Sequence, residues 1–154
     1  MDVRVARAEE LAHLPAHYAA WGYRGGIAPG DAVLVAEDAG APVGIVRQTV
    51  EGGDVVMLRG MYVAPGVRGR GIGSSLLDAF VARLEREPGL RGHACYGVPY
   101  VHLERFYGRG GFVFIPIAAA PAFLHERVRR YEMEGHRVTV MRREPAGGAV
   151  ARGG

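Results

Sequence analysis

The stretch VAPGVRGRGIGSSLL, Val63 to Leu77, gathers Gly66, Gly69, Gly71 and Gly73 with Arg68 and Arg70 ahead of an apolar helical pattern, and no acidic residue follows until Asp78. A helix N-terminus presents backbone N–H groups that lack intrahelical partners, together with a partial positive charge. Glycines let neighbouring N–H groups converge on an anion with no Cβ in the way. Diphosphate is the natural partner of such a loop, and the two arginines add charge at its rim. A purely structural turn is the competing reading. No Gly-Lys-Ser/Thr follows, so the loop is not a P-loop, and its glycines do not have the spacing of a dinucleotide fingerprint.

Other residues with chemistry to offer are fewer. Arg59 alternates in phase with Val55, Met57, Met61 and Val63, and Arg47 with Val43 and Ile45. An arginine on an apolar sheet face needs a partner, because burying an unpaired charge is costly. Two readings stand side by side: a ligand carboxylate or phosphate, which the planar guanidinium suits, or an internal pair with Glu51, Asp54 or Glu37. His102 has a side chain that titrates near neutral pH, although a surface or helix-capping histidine fits as well. The single cysteine, Cys95, excludes an internal disulfide and leaves too few thiols for a cysteine zinc site. It reads as a small buried strand residue, with a reactive thiol as the lesser reading. No metal is expected.

The elements that must position these residues follow from periodicity. DVRVARA reads as an opening strand, and AEELAHLPAHYAAWG as a helix interrupted or kinked at Pro15. DAVLVAED is a nearly continuous apolar run, VGIVRQTV alternates, and the turn EGGD leads into VVMLRGMYV, so Asp31 to Val63 predicts an antiparallel meander. Ile72, Leu76, Leu77, Phe80, Val81 and Leu84 recur at helical spacing, with Ser75, Asp78, Arg83 and Glu85 on the other face. HACYGV is a strand, VHLERFYGR a short helix stopped by Gly110-Gly111, and FVFIPI a strand. PAFLHERVRRYEMEG reads as an amphipathic helix packing Phe123, Leu124, Val128 and Tyr131 on the sheet; a cover over an acceptor pocket and a dimer contact are its alternatives. HRVTVMRR closes as a strand. The expected fold class is α/β, with a mixed, mostly antiparallel central sheet flanked by helices. One domain over residues 1–144 and a flexible tail over 145–154 are expected.

The composition is that of a globular domain: 154 residues, 49% hydrophobic and 23% charged. No apolar run approaches the roughly 18 residues that a membrane span needs, and the N-terminus lacks the apolar core of a secretory signal, so a cytoplasmic protein without membrane partners is expected. The net charge is +3, and every Lys/Arg position is Arg. Arg-Gly-Gly occurs at Arg24, Arg109 and Arg152, but the first two lie in segments that read as folded, so nucleic acid is not expected as a partner.

MYVAPGVRGRGIGSSLL resembles the coenzyme A-binding motif of the GNAT acetyltransferase superfamily, with Arg68, Gly71 and Gly73 in its Arg-x-x-Gly-x-Gly positions. A second block, HLERFYGRGGF, resembles that family's later helix, in which Tyr107 is followed four residues on by Gly111 and Phe112. The two blocks stand in the family's order, and two together are far more specific than either alone. The resemblance covers Asp31 to Phe112 through these motifs and the remainder through element order.

That resemblance implies acetyl-CoA as cosubstrate. Backbone amides of Arg68, Gly69, Arg70, Gly71, Ile72, Gly73 and Ser74 would hold the pyrophosphate. Met61, Tyr62 and Val63 would pair with the pantetheine amides and hold the acetyl carbonyl, in a gap between their strand and the strand of Cys95. An amine would attack the acetyl carbon directly, and Tyr107 would protonate the departing thiolate, unless it is an aromatic packing residue beside Phe106. Many relatives carry a glutamate at the positions of Met57 or Arg59, and an asparagine where Tyr100 stands; this sequence has neither. The base is left among water, a backbone carbonyl, His102 and Glu104. Arg47, Arg59, Tyr100 and His102 are the candidates for holding the acceptor, a small-molecule amine of which acidic examples fit the arginines. A protein or peptide acceptor and a non-catalytic acyl-CoA sensor are the alternatives, and a homodimer is the commonest assembly to expect.

Overall fold

A computed structural model of the chain describes residues 1–146, so the part of the expected 145–154 tail beyond Ala146 lies outside the described residues. Seven strands and four helices alternate as the periodicity predicts: β1 (Asp2–Val5), α1 (Leu14–Trp21), β2 (Ala32–Asp38), β3 (Ala41–Glu51), β4 (Val55–Val63), α2 (Ile72–Arg86), β5 (Cys95–Gly97), α3 (Glu104–Gly108), β6 (Val113–Ile115), α4 (Ala122–Met133) and β7 (Val140–Arg143). They form one seven-stranded sheet in the order β1-β2-β3-β4-β5-β7-β6. The β1–β2, β2–β3, β5–β7 and β6–β7 pairs are antiparallel, and β4–β5 is parallel. The sheet is therefore mixed and mostly antiparallel, as expected.

Pro15 does not kink a long helix. It lies in the first turn of α1, and the residues before it form a separate short turn of 3-10 helix, Ala8–Glu10. Proline is favoured there because its missing N–H costs nothing before the first helical hydrogen bond, and its fixed φ is already helical. Gly22, in the left-handed region at φ +94°, ends the helix.

The chain divides into two compact units, Met1–Thr49 with Leu58–Arg83, and Val50–Met57 with Leu84 onward. In the first, α1 buries Leu14 and Tyr18 against Val33, Val35 and Ile45, with Tyr23 and Tyr62 packed at the edge of this cluster. Within α2, Ile72, Leu76, Leu77, Phe80 and Leu84 are buried while Asp78 and Glu85 are exposed, which is the face assignment that the helical spacing predicts. Gly44 is what lets α2 lie close to β3: a Cβ there would stand 2.9 Å from the Leu76 side chain and 3.1 Å from that of Ile72.

In the second unit, α4 packs Leu124 and Val128 against Met57, Val138 and Val140, with Phe123 and Tyr131 partly buried beside them. That is the amphipathic packing read from the sequence. Arg127 of α4 also binds Glu51 at 2.5 Å.

Candidate functional site

The glycine-rich segment is a built turn between β4 and α2. After Val63 the chain makes one turn of 3-10 helix at Pro65–Val67, extends at Arg68, and enters α2 at Ile72. Gly69 and Gly71 sit at φ +87° and +81°, in the left-handed region. A Cβ at either position would meet nothing within 4 Å, so glycine is required by the backbone conformation and not by crowding. The first helical hydrogen bond runs from the Ser75 N–H to the Gly71 carbonyl at 3.0 Å. The N–H groups of Ile72, Gly73 and Ser74 precede it, and these are the donors that a helix start turns outward. The Ile72 side chain is itself buried, so only its backbone can serve a ligand. Pro65, Gly66, Arg68, Gly69, Arg70 and Gly71 are exposed.

Arg68 is fastened to the end of β4. Its Nε donates to the Val63 carbonyl at 3.1 Å, and its guanidinium lies 4.9 Å from the centre of the Tyr62 ring. This fixes a permanent positive charge at the loop. Tyr62 in turn packs on Tyr23 at 5.3 Å between ring centres, and Tyr23 on Tyr18 at 4.4 Å. Met61, Tyr62 and Val63 are partly buried along β4. The β4–β5 ladder consists of Val56 opposite Cys95 and Met57 opposite Tyr96, so Met61–Val63 lie outside it.

Arg47 is buried, and its Nη1 donates to Asp31 Oδ2 at 2.8 Å. Asp31 also accepts the Ala28 N–H at 2.9 Å. None of the three carboxylates expected from the sequence is this partner: Glu37 receives Arg4, Glu51 receives Arg127, and Asp54 stands in the exposed turn. The Arg47 Nε is buried without a hydrogen bond. Burial pulls the pKa of this guanidinium down, yet the hydrogen bond to Asp31 and the neighbouring tyrosines outweigh it and hold the group above its ordinary value. Arg59 lies partly buried on β4.

In the second unit, Tyr107 is buried in α3 with its ring edge-on to Phe106 at 4.9 Å and to Phe112 at 6.1 Å. Gly111, at φ +88°, turns the chain so that the Phe112 N–H reaches the Tyr107 carbonyl at 3.3 Å. The tyrosine–glycine–phenylalanine spacing thus has a local structural meaning: it folds the phenylalanine back on the tyrosine. Tyr100 and His102 are exposed and stacked at 5.7 Å, and the Tyr100 hydroxyl lies 3.1 Å from Nδ1 of His136. His136 lines a cleft of about 370 Å³ together with Val101, Glu132 and Arg137. Cys95 is buried on β5, as a structural cysteine would be. Among the described residues no group of three or more His, Cys, Asp or Glu side chains is placed to hold a metal ion, and no helix is long and apolar enough to cross a membrane.

Three participants escaped the sequence reading: Asp31, Tyr18 and Gly60. The Tyr18 hydroxyl donates to the Gly60 carbonyl at 2.6 Å. A lone glycine inside the apolar alternation VVMLRGMYV was a visible signal of a strand irregularity; nothing local marks Tyr18 or Asp31.

The family model for the acetyltransferase (GNAT) domain matches residues 29–114, more than half of the chain. Similar solved structures include Rv2747 from Mycobacterium tuberculosis in complex with CoA and NLQ, at 19% identity and TM-score 0.66, over 94% of this chain and 99% of that one. A ribosomal-protein-alanine N-acetyltransferase from Brucella melitensis is similar at 19% identity and TM-score 0.63, over 94% and 99%. Arabidopsis thaliana Naa50, in complex with the bisubstrate analogue CoA-Ac-MVNAL, is similar at 16% identity and TM-score 0.64, over 93% and 97%. A sequence comparison with curated proteins finds no match.

Proposed function

Since the chain belongs to the acetyltransferase (GNAT) family and is an acyltransferase of that family, we propose that it moves the acetyl group of acetyl-CoA to the amine of a small molecule in the cytoplasm. The observation that carries this reading is the turn between β4 and α2, where Gly69 and Gly71 at positive φ lead into the free N–H groups of a fifteen-residue helix. Such a turn suits a diphosphate. The backbone from Arg68 to Ser74 holds the pyrophosphate in this reading, with the Arg68 and Arg70 charges at its rim. Met61–Val63, outside the ladder to β5, supplies backbone hydrogen bonds to the pantetheine arm and the acetyl carbonyl.

The acceptor amine attacks the acetyl carbon, the thioester C–S bond breaks, and Tyr107 delivers its proton to the departing thiolate. The amine gives up its proton through water, a backbone carbonyl, or His102 or Glu104. Arg47, which is also paired with Asp31, Arg59, Tyr100 and His102 are the acceptor contacts in this reading. The Brucella melitensis and Arabidopsis thaliana proteins favour a second reading, in which the acceptor is the N-terminus of a protein or peptide. A pure acyl-CoA sensor has no use for Tyr107.

Calorimetry with acetyl-CoA, followed by thiol release across a panel of amino acids, polyamines and short peptides, tests the proposal. Turnover of a small amine supports it, and turnover of peptides alone moves the assignment to the second reading. Tight binding without turnover of any amine identifies a sensor, and failure to bind any acyl-CoA overturns the cofactor site itself.

A further inference from the structure

Gly60 stands inside β4 with φ +64°, a conformation that an ordinary strand residue does not adopt. Its surroundings also exclude any other side chain. A Cβ on Gly60 would lie 2.5 Å from the Tyr18 hydroxyl and 2.8 Å from Arg47 Nε, and both of these groups are buried. Tyr18 comes from α1 and donates its hydroxyl proton to the Gly60 carbonyl at 2.6 Å. Burial raises the pKa of this phenol well above its ordinary value, so it stays a neutral donor.

The Gly60–Met61 peptide is trans. In a planar trans peptide the C=O and the following N–H point in opposite directions. A carbonyl held toward Tyr18 therefore turns the Met61 N–H to the side away from Tyr18. We propose that Tyr18 is a positioning residue for acyl transfer: by holding the Gly60 carbonyl, its hydroxyl aims the Met61 N–H at the carbonyl oxygen of the bound thioester. This rests on the acetyl-CoA reading of β4 given above. A donor fixed in place before the reaction stabilises the oxyanion that forms when the amine adds to the acetyl carbon, and it does so without reorganisation at that moment. Arg47, tied to Asp31, fills the space beside the Gly60 Cα.

The test is Tyr18→Phe, which keeps the ring and removes the hydroxyl, read by carbon-13 NMR of acetyl-CoA labelled at the thioester carbonyl. Bound to the wild-type protein, the carbonyl resonance is expected to move from its free position, as a polarised carbonyl does. In the variant this shift is lost, while the Kd for CoA, which has no carbonyl there, stays at the wild-type value. The same bound resonance in both proteins overturns the proposal. A wild-type protein that binds neither CoA nor acetyl-CoA overturns the cofactor reading, and the proposal falls with it. If Tyr18→Phe does not fold, 3-fluorotyrosine at position 18, a stronger donor of the same shape, is expected to alter the bound resonance; an unaltered one overturns the proposal.

Discussion

Arg47 and Asp31 form an ion pair at 2.8 Å with both side chains buried, 5% and 7% exposed. A carboxylate removed from such a pair leaves a guanidinium with no way back to water. Asp31→Ala is therefore expected to cost about 3–5 kcal/mol of stability, measured by urea unfolding. Replacing both partners, Arg47→Met with Asp31→Ala, is expected to recover most of that loss, because no buried charge is left behind. A single-variant cost below about 1 kcal/mol would place the pair with surface ion pairs and against the burial described above.

The glycine loop makes a different prediction, because its glycines are needed for conformation. Gly71→Val forces a β-branched residue into φ +81°, at a cost of about 1–3 kcal/mol if the turn is kept. Should the turn relax instead, the N–H groups proposed to hold the diphosphate lose their direction. Re-forming the turn on binding then costs that strain, and the Kd for acetyl-CoA is expected to rise by about 5–150-fold, as read by calorimetry. Gly66→Ala is the control in the same loop: a Cβ there meets nothing within 4 Å and φ is not positive, so affinity stays at the wild-type value. Equal losses in the two variants would refute a conformational role for Gly71.

Much of the local structure around the candidate site is legible in the sequence, and the reasons are local. The loop, the buried face of α2 and the return of Phe112 onto Tyr107 are each set by residues close together in the chain. Partners across the sheet were not legible. Alternation assigned Arg47 to a face, but only the β2–β3 register, with Val33 opposite Arg47, decides that Asp31 and not Glu37 comes within reach. Tyr18 meets Gly60 across 42 positions of sequence, a contact that no periodicity can encode. Residues 8–22 read as one helix interrupted or kinked at Pro15 because the short turn before α1 shares helical spacing with it; the break falls just before α1, which has Pro15 in its first turn.

Acid sensitivity should trace to the cluster of Arg4 with Glu10 and Glu37. The hydrogen bond from Arg4, helped by the Arg7 N–H, outweighs burial and holds the Glu10 carboxyl at about 2, below its ordinary value of 4.5. Between those two values the unfolded chain binds more protons than the folded one, so stability falls as pH falls. The contribution is complete above pH 4.5 and is lost as the pH drops through about 2. Melting temperature followed across this window is expected to fall more steeply for the wild-type protein than for Glu10→Gln. Parallel curves would mean that Glu10 is not the group responsible.

In the proposed mechanism Tyr107 delivers the proton to the leaving thiolate, and its packing makes a clean test possible. Its ring lies edge-on to Phe106 and Phe112, and phenylalanine at this position preserves both contacts. Tyr107→Phe is accordingly expected to fold and to bind CoA with the wild-type Kd. With an amine that the wild-type protein accepts, kcat for thiol release is expected to fall by about 10²–10⁴-fold, the usual worth of a positioned proton donor. The KM for acetyl-CoA should stay where it is, because the hydroxyl acts on the leaving thiolate and not on the bound cofactor. An unchanged kcat under conditions where chemistry limits turnover would remove Tyr107 from proton transfer. Its place in the motif would then reflect only the turn at Gly111 that folds Phe112 back onto its ring.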